Sequence, residues 1–215
     1  IFGGIVATNQ TITKEVALLM KPIFLEVIIA PAFDSEAIKV FEKKKNIRLI
    51  EVNMTKDNRK TTHMVAVTGG LLVQDADNYT TTKVVTKDMN VTNTMPTDRE
   101  VSDMNFAWKI VKHVKSNAIV VVKDGVTCGV GAGQMNRIGS AKLAIEQAHS
   151  LGINEGLVLA SDGFFPFDDT VKYATANGVC AIVQPGGSVR DEDSIIAANE
   201  AKIPMLVTGM RHFKH

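Results

Sequence analysis

The chain has 215 residues, of which 45% are hydrophobic and 22% are charged, and its formal net charge is +1. This length and composition are ordinary for a soluble globular protein that buries a core in one large or two small domains. The balanced charge argues against a general binder of nucleic acid or of membrane surfaces, so we expect neither as a partner, and any electropositive site must be local.

Two further classes of protein are disfavoured. No apolar run approaches the roughly 18 residues that a membrane-spanning helix requires, and no segment has the pattern of a signal peptide. The two cysteines, Cys128 and Cys180, form no C-x-x-C pair and have no histidine at zinc-ligand spacing. We therefore expect two free thiols in a protein of the reducing cytoplasm.

The first part of the chain alternates apolar runs with segments of helical period. The apolar runs predict strands at residues 1–9, 25–31 and 47–54. The segments between them predict helices at 11–22 and 34–46. This βαβαβ order is typical of a parallel sheet with right-handed crossovers.

The middle of the chain is predicted to contain a hairpin, a linker and a long helix. Two short strands surround Gly69-Gly70, and the polar stretch 87–98 has the composition of a linker. Apolar residues recur at helical spacing over 99–116, which predicts a helix. We expect most of this apolar stripe, together with Trp108, to lie in the core.

The C-terminal part repeats the βαβαβ scheme. Strands are predicted at 156–161, 179–184 and 204–209, with helices at 168–178 and 189–202. The repetition favours two related modules.

A glycine-rich segment precedes a further predicted helix. Gly129, Gly131 and Gly133 have the spacing G-x-G-x-G, and Asn136 stands where a dinucleotide-binding fingerprint needs its third glycine. No Gly-Lys-Ser/Thr follows, which excludes a Walker loop. The apolar runs on either side of Lys123-Asp124-Gly125 predict a hairpin. The segment is therefore not a nicotinamide site.

Two interpretations of this loop remain open. In one, the glycines only let the chain turn sharply into a helix. In the other, the loop also meets a ligand, because Arg137 lies in the first helical turn, where the helix dipole disfavours a cation. An arginine in that place suggests an anionic partner such as a phosphate or a carboxylate.

An aromatic loop follows one of the C-terminal strands. Phe164, Phe165 and Phe167 surround Pro166, and ligands of open α/β sheets bind beyond the carboxyl ends of strands. The loop can form a slot for a planar ring, or its rings can lie in the core while the flanking aspartates cap helices. The two interpretations are compatible, and we expect one or two rings to face a site.

Two more segments lie at predicted strand ends. The N–H groups of the Pro-Gly-Gly-Ser segment, 185–188, can cradle an anion or the polar edge of a heterocycle, although a turn with Ser188 as helix N-cap is the simpler interpretation. The basic ending, 211–215, follows a predicted buried strand. Such a tail is usually solvated, but its position also permits a role in a site.

Taken together, these motifs resemble the C-terminal part of the AICAR transformylase/IMP cyclohydrolase family. The segments that carry the resemblance are KSNAIVVVKDGVTCGVGAGQMNRIGSAK, ASDGFFPFDD, QPGGSVRDE and MRHFKH, with FGG, EVIIAP and GGLLVQD in the first part. They cover nearly the whole chain, and their combination is specific to this family.

The resemblance implies an enzyme of purine biosynthesis that transfers a formyl group from 10-formyltetrahydrofolate to the 5-amino group of AICAR. It implies an α/β fold of two cytidine deaminase-like three-layer α/β/α modules with mixed, largely parallel sheets, here residues 1–88 and 96–215, without the deaminase zinc motif. It further implies a cytoplasmic homodimer whose active sites are shared between subunits. The family's N-terminal IMP cyclohydrolase domain would lie outside this chain.

Matched position by position, the resemblance implies three groups of site residues. The AICAR-contacting positions are Gly3, Glu26, Asn117, Arg137, Phe164 and Arg211. Asn117 has the catalytic position near the transferring formyl group. The folate-side positions are Ile138, Pro166, Asp169, Ser188 and Val189. Asp162 would contribute to a potassium site next to the terminal His215.

Three departures from the family pattern affect these expectations. The family's Lys-His pair, which supplies the proposed general base and steadies the oxyanion, would lie upstream of Ile1, and the absence of an initial Met suggests a piece of a longer protein or a processed N-terminus. Because formyl transfer needs a proton acceptor and an oxyanion donor, we expect the chain alone to bind poorly and to be inactive. Asp168 replaces an arginine that is frequent in the family, and Glu26 replaces an aspartate that some members have.

The alternative to a transformylase is a non-catalytic nucleotide- or folate-binding module.

Overall fold

The computed structural model of the chain describes residues 2–53, 62–77 and 85–214. The chain divides into two compact units, residues 1–76 and 77–215. The fold is α/β, as predicted, with parallel strands in both units and a mixed sheet in the second.

The division between the units falls earlier in the chain than residue 88, the predicted end of the first module. Val85 lies in the core of the second unit, and Met89 packs against that core. The segment around these residues therefore folds with the C-terminal part of the chain.

The first unit contains a three-stranded parallel sheet with strands β1 (Phe2–Ala7), β2 (Phe24–Ala30) and β3 (Arg48–Glu51) in sequence order. Helices α1 (Lys14–Met20) and α2 (Ser35–Phe41) connect the strands. The predicted βαβαβ order is confirmed, although both helices end earlier than the apolar pattern indicates.

Local chemistry sets the limits of α1. Its N-cap is Thr13, whose hydroxyl accepts a hydrogen bond from the Val16 N–H over 3.5 Å. Its end is followed by Pro22, which has no N–H to continue the helix. The residues buried in this unit's core are Ile12, Ala17, Leu25, Ile28, Ala30, Phe33, Ala37 and Phe41.

A separate antiparallel hairpin completes the described part of the first unit. Strands β4 (Thr62–Val67) and β5 (Gly70–Asp75) pair directly. Gly69 in the turn has φ +81°, a backbone conformation that glycine adopts without a steric penalty. This confirms the predicted pair of short strands.

The second unit contains a five-stranded mixed sheet of order β10-β9-β8-β6-β7. Its strands are β6 (Ile119–Lys123), β7 (Val126–Gly131), β8 (Leu157–Ser161), β9 (Val179–Gln184) and β10 (Met205–Val207). β8, β9 and β10 are parallel, whereas β6 is antiparallel to β7 and to β8. The starts of β6 and the ends of the other four strands therefore meet at one edge, here called the C-terminal edge.

Four helices cover this sheet on its two faces. On one face, α3 (Asp98–Val111) packs on a core that includes Trp108. On the other face, a second core contains residues of α4 (Arg137–Ser150), α5 (Asp169–Ala176) and α6 (Asp191–Glu200). Successive strand residues alternate between the two cores, so this unit has three layers.

The glycine-rich segment divides differently from the prediction. The hairpin is confirmed, with β6 and β7 joined at Asp124 and Gly125, which both have positive φ, 53° and 71°. Gly129 and Gly131, however, lie inside β7 rather than in a loop. A Cβ at Gly131 would lie 1.9 Å from the Ser140 carbonyl oxygen, so these glycines let the backbone of α4 approach the strand.

The polar stretch 87–98 is not a free linker, and that prediction was wrong. After a 3-10 helix at Lys87–Met89, the chain runs along β10. The Met205 N–H donates to Thr92 Oγ1 over 3.0 Å, and the Val91 N–H donates to the Met205 carbonyl over 2.9 Å. The Thr92 hydroxyl and the Val91 N–H therefore satisfy the backbone of Met205 at the edge of the sheet. Thr92 and Met205 are 113 positions apart in the sequence.

Candidate functional site

A pocket of about 590 Å³ opens at the C-terminal edge of the second unit. Its walls come from the segment before β6, the loop after β7, the aromatic loop after β8 and the terminal segment after β10. The side chains that matter for its chemistry are those of Asn117, Gln134, Arg137, Phe164, Pro166 and Phe213.

The pocket is built on a buried ion pair. The Arg137 side chain is 6% exposed and the Asp162 side chain is fully buried, and the guanidinium Nη1 donates to the Asp162 carboxylate. Nη1 also donates to Ser161 Oγ over 2.8 Å. The anionic partner that the position of Arg137 predicts is therefore present within the chain, at the end of β8.

The same guanidinium reaches the pocket through its other terminal nitrogen. Arg137 Nη2 donates to Asn117 Oδ1 over 3.0 Å, and Asn117 Nδ2 donates to the Gln134 carbonyl over 2.9 Å. Nη2 and Nδ2 each carry two hydrogens. Among the described residues, one hydrogen of each remains for a ligand.

Gly163 permits this arrangement. A Cβ at this position would lie 2.6 Å from Arg137 Nη2 and 2.9 Å from Phe213 Cε1. The guanidinium and the aromatic ring can therefore lie next to the backbone that follows β8 only because this residue has no side chain.

A second arginine lies above the aromatic loop. The Arg211 guanidinium carbon is 5.0 Å from the centroid of the Phe164 ring and 6.0 Å from that of Phe213, which are cation–π distances. A Cβ at Gly187 would lie 3.1 Å from Arg211 Nη2, so the Pro-Gly-Gly-Ser turn borders this arginine.

The three rings of the aromatic loop have different environments. Phe164 is half-buried and lines the pocket, whereas Phe165 is fully buried in the core. Phe167 is exposed, with the Arg190 guanidinium carbon 5.1 Å from its ring centroid. The core interpretation therefore holds for one ring and the site interpretation fits another.

The turn before α6 differs from the prediction. Arg190, not Ser188, has the N-cap position of α6, and the Ser188 hydroxyl accepts from the Arg190 N–H over 3.1 Å. The carboxylate of Asp191 holds the turn instead, because its Oδ2 accepts from the Gly187 N–H over 2.6 Å. Val189 is fully exposed.

The aspartates after the aromatic loop cap α5 only in part. Asp168 has the N-cap position but makes no capping bond. Its carboxylate instead accepts from Lys172 Nζ over 2.6 Å, and this hydrogen bond lowers the pKa of Asp168. Asp169 Oδ1 accepts from the Thr170 N–H over 2.7 Å, and the residue is exposed.

Comparison with known proteins decides the family. A family model described as the AICARFT/IMPCHase bienzyme matches residues 1–147. Proteins called bifunctional purine biosynthesis protein PurH align with the whole chain: that of Anoxybacillus flavithermus is 54% identical, and that of Staphylococcus haemolyticus is 53% identical. The chain belongs to the AICARFT/IMPCHase bienzyme family.

The resemblance read from the motifs is thus confirmed. The chain spans 41% of the length of the Anoxybacillus relative and 43% of that of the Staphylococcus relative.

In this member of the family, several of the predicted site residues lie together. The second unit brings Asn117, Arg137, Phe164 and Pro166 to one pocket, with Arg211 over Phe164. Ile138 follows Arg137 in α4. Asp169, Ser188 and Val189 do not line the pocket, although each follows a strand that ends at the same edge.

The two predicted residues of the first unit are neighbours. Gly3 lies on β1 with φ +66°, and a Cβ there would lie 3.0 Å from Glu26 Oε1 on β2. The glycine therefore leaves space for the carboxylate of Glu26.

The carboxylate of Asp162 is largely occupied by protein donors. Besides Arg137, it accepts from the hydroxyl of Ser116 and, over 3.1 Å, from the N–H of Ala118. A carboxylate has about four acceptor positions, so one more contact fits, and the potassium site stays a prediction. His215 lies outside the described residues, which contain no cluster of three or more His, Cys, Asp or Glu suited to a metal.

The terminal segment is bound rather than frayed. The Ser116 N–H donates to the Lys214 carbonyl over 2.9 Å, and the Lys214 N–H donates to Ser116 Oγ over 3.1 Å. Sequence reasoning gave no role to Ser116 and named Phe213 only as part of the ending 211–215, whose position permits a role in a site. For Phe213 the available signal was its place one residue from two basic side chains, in a tail that follows a buried strand.

Two further observations concern the cysteines and the helices. Both cysteines are free thiols, as predicted. No helix in the described ranges is long and apolar enough to cross a membrane.

Proposed function

We propose that this chain is the C-terminal portion of an AICAR transformylase, which transfers a formyl group from 10-formyltetrahydrofolate to the 5-amino group of AICAR in purine biosynthesis. The observation that carries the proposal is the convergence of Asn117, Arg137 and Phe164 on one pocket, with Arg211 above Phe164. AICAR has a planar imidazole ring and a phosphate, so an aromatic face and two guanidinium groups suit both of its ends.

Each of these residues then has a physical task. Phe164 packs against the imidazole, and the free Nη2 hydrogen of Arg137 binds a polar or anionic group of the substrate. The remaining amide hydrogen of Asn117 donates to the oxygen that gains charge when the amine attacks the formyl carbon. The ion pair with Asp162 keeps the Arg137 guanidinium in place before substrate arrives, so less ordering is needed on binding.

The remaining assignments rest on the resemblance. Gly3 and Glu26 would contact AICAR. The folate would lie along the C-terminal edge, against Ile138, Pro166, Asp169, Ser188 and Val189. Asp162 would add one ligand to a bound potassium ion.

We further propose the family's architecture for this protein. The two predicted modules, 1–88 and 96–215, would be cytidine deaminase-like, with the first ending near residue 76, where the first compact unit ends. Two subunits would share active sites in a cytoplasmic homodimer. The identical strand order of β1-β2-β3 and β8-β9-β10, both parallel, supports a duplicated module.

Formyl transfer by the complete gene product that contains this chain tests the proposal. We expect Asn117→Ala to lower kcat by about two orders of magnitude, as the loss of one oxyanion donor does, and Arg137→Ala to be at least as severe. Arg48→Ala removes an exposed arginine of the first unit and serves as the matched control, which should retain the wild-type rate.

The outcomes separate the two candidate functions. Wild-type rates in both pocket variants would overturn the site assignment. Binding of AICAR or folate by the complete gene product without any formyl transfer would favour the non-catalytic binding module. The 215-residue chain alone should show no transfer, because the resemblance puts the general base outside it.

A further inference from the structure

The terminal segment presents alternate side chains to opposite sides. Arg211 and Phe213 are exposed and reach the pocket region, whereas His212 between them is only 2% exposed. A buried imidazole in a basic, otherwise exposed tail requires partners, because a buried polar group without them destabilises the fold.

His212 is held at three points. Its N–H donates to the Asp162 carbonyl over 2.9 Å. Its ring lies edge-on to Trp108, with 4.6 Å between the centroids and 62° between the planes. Its Nδ1 is 2.5 Å from Asp77 Oδ2, so Nδ1 carries the shared hydrogen and the carboxylate accepts it.

Asp77 is itself fixed to the body of the unit. Lys112, at the end of α3, donates from Nζ to the Asp77 carbonyl over 2.9 Å. The Asp77–His212 bond therefore ties the first residue of the unit to its last described segment, across 135 sequence positions.

The other ring nitrogen gives no comparable stabilisation. His212 Nε2 and Trp108 Nε1 are both buried without a hydrogen-bond partner among the described residues. For packing alone, an apolar ring would serve against Trp108 at least as well. What the imidazole adds is the directed bond to Asp77.

We propose that His212 is a positioning residue: its hydrogen bond to Asp77 fixes the terminal segment so that Arg211 and Phe213 remain at the pocket. The effect on substrate affinity rests on the proposed function, whereas the effect on the Arg211 side chain does not. His212 itself touches no substrate and acts only through its neighbours.

His212→Phe is the direct test, because phenylalanine keeps the ring against Trp108 and removes the bond to Asp77. Asp77→Ala removes the same bond from a half-exposed residue and decides the question should His212→Phe not fold. His149→Phe is the matched control. It removes a ring hydrogen bond, to the Asn177 carbonyl at 3.1 Å, at the end of α4 away from Arg137.

The first measurement needs no ligand. In the complete gene product labelled with 15N-arginine, the Arg211 side-chain signal, assigned with Arg211→Lys, should be shifted by the rings of Phe164 and Phe213. We expect this shift to disappear in His212→Phe and in Asp77→Ala and to persist in His149→Phe. A persistent shift in the first two variants would overturn the proposal and leave His212 a packing residue.

The second measurement is the affinity of the complete gene product for AICAR by calorimetry. Losing one charge-assisted contact corresponds to a drop of about ten-fold or more. Because Arg211 and Phe213 are both held by His212, the loss in His212→Phe/Arg211→Ala should be clearly smaller than the sum of the two single losses. Additive losses would contradict action through Arg211. If the wild type binds no AICAR, the proposed function fails while the Arg211 signal still decides the role of His212.

Discussion

Arg137 shows how one side chain can serve both the fold and the pocket. Its guanidinium satisfies the buried carboxylate of Asp162 with one nitrogen and turns the other towards Asn117. Position within the helix was enough to predict an anionic partner for Arg137. It was not enough to identify that partner, because Asp162 lies 25 residues further along the chain.

Removing this arginine should therefore cost stability as well as activity. Truncating one partner of a buried ion pair leaves an uncompensated charge, so we expect Arg137→Ala to lower the free energy of unfolding by about 3–5 kcal/mol. Urea denaturation of wild type and variant measures this difference. A decrease in the free energy of unfolding below about 1 kcal/mol, which is typical of exposed ion pairs, would mean that the Arg137–Asp162 pair is solvated.

Cys180 offers a test of burial that involves no ligand. Burial, and secondarily the nearby carboxylate of Glu100, raises the pKa of its thiol to about 11. Because the folded-state pKa lies above the unfolded value of 9.0, the protonated thiol favours the folded state below pH 9, and this contribution disappears as the pH rises towards 11.

At pH 8 we accordingly expect Cys180 in the folded chain to react with iodoacetamide far more slowly than in urea. Peptide mass spectrometry gives the rate for each cysteine. Alkylation of native Cys180 at the rate of the unfolded chain would contradict the burial.

Among the elements, the contact between β7 and α4 determines where the pocket arginine lies. The sequence pattern predicted the hairpin, since Asp-Gly between two apolar runs is a strong local signal. It did not reveal that Gly129 and Gly131 belong to the strand. Glycine is required at these positions because the backbone of α4, which follows later in the chain, leaves no space for a side chain. Helix ends were also poorly predicted. The helix predicted over 99–116 ends at Val111, and short turns follow, in which the His113 N–H donates to the Ile110 carbonyl.

Gly131→Ala should disturb this contact. The new methyl group would meet the Ser140 carbonyl at 1.9 Å, so α4 must shift, with an expected loss of about 2 kcal/mol in the free energy of unfolding. The control is Gly70→Ala, where a Cβ meets nothing within 4 Å. Thermal denaturation of both variants provides the comparison, and equal melting temperatures would show that α4 adapts without strain.

At the level of the whole chain, the sequence predicted the architecture better than the site. Apolar runs identified the parallel strands of both units, and the repeated βαβαβ scheme corresponds to β1-β2-β3 in the first sheet and to β8-β9-β10 in the mixed second sheet. The pocket residues came from the family resemblance, because they lie on segments that are distant in sequence and meet only at the C-terminal edge. Residue chemistry alone left Arg137 and the aromatic loop with two interpretations each.

Arg211 and the aromatic loop form the surface that we propose binds an anionic planar metabolite. The chain contains a matched comparison, because Arg190 lies over Phe167 at 5.1 Å much as Arg211 lies over Phe164 at 5.0 Å. In calorimetric titrations of the complete gene product with AICAR, we expect Arg211→Ala to bind about ten-fold more weakly than the wild type, or more weakly still. We expect Arg190→Ala to bind with the wild-type affinity. Equal affinities in the two variants would mean that Arg211 does not contribute to the binding surface.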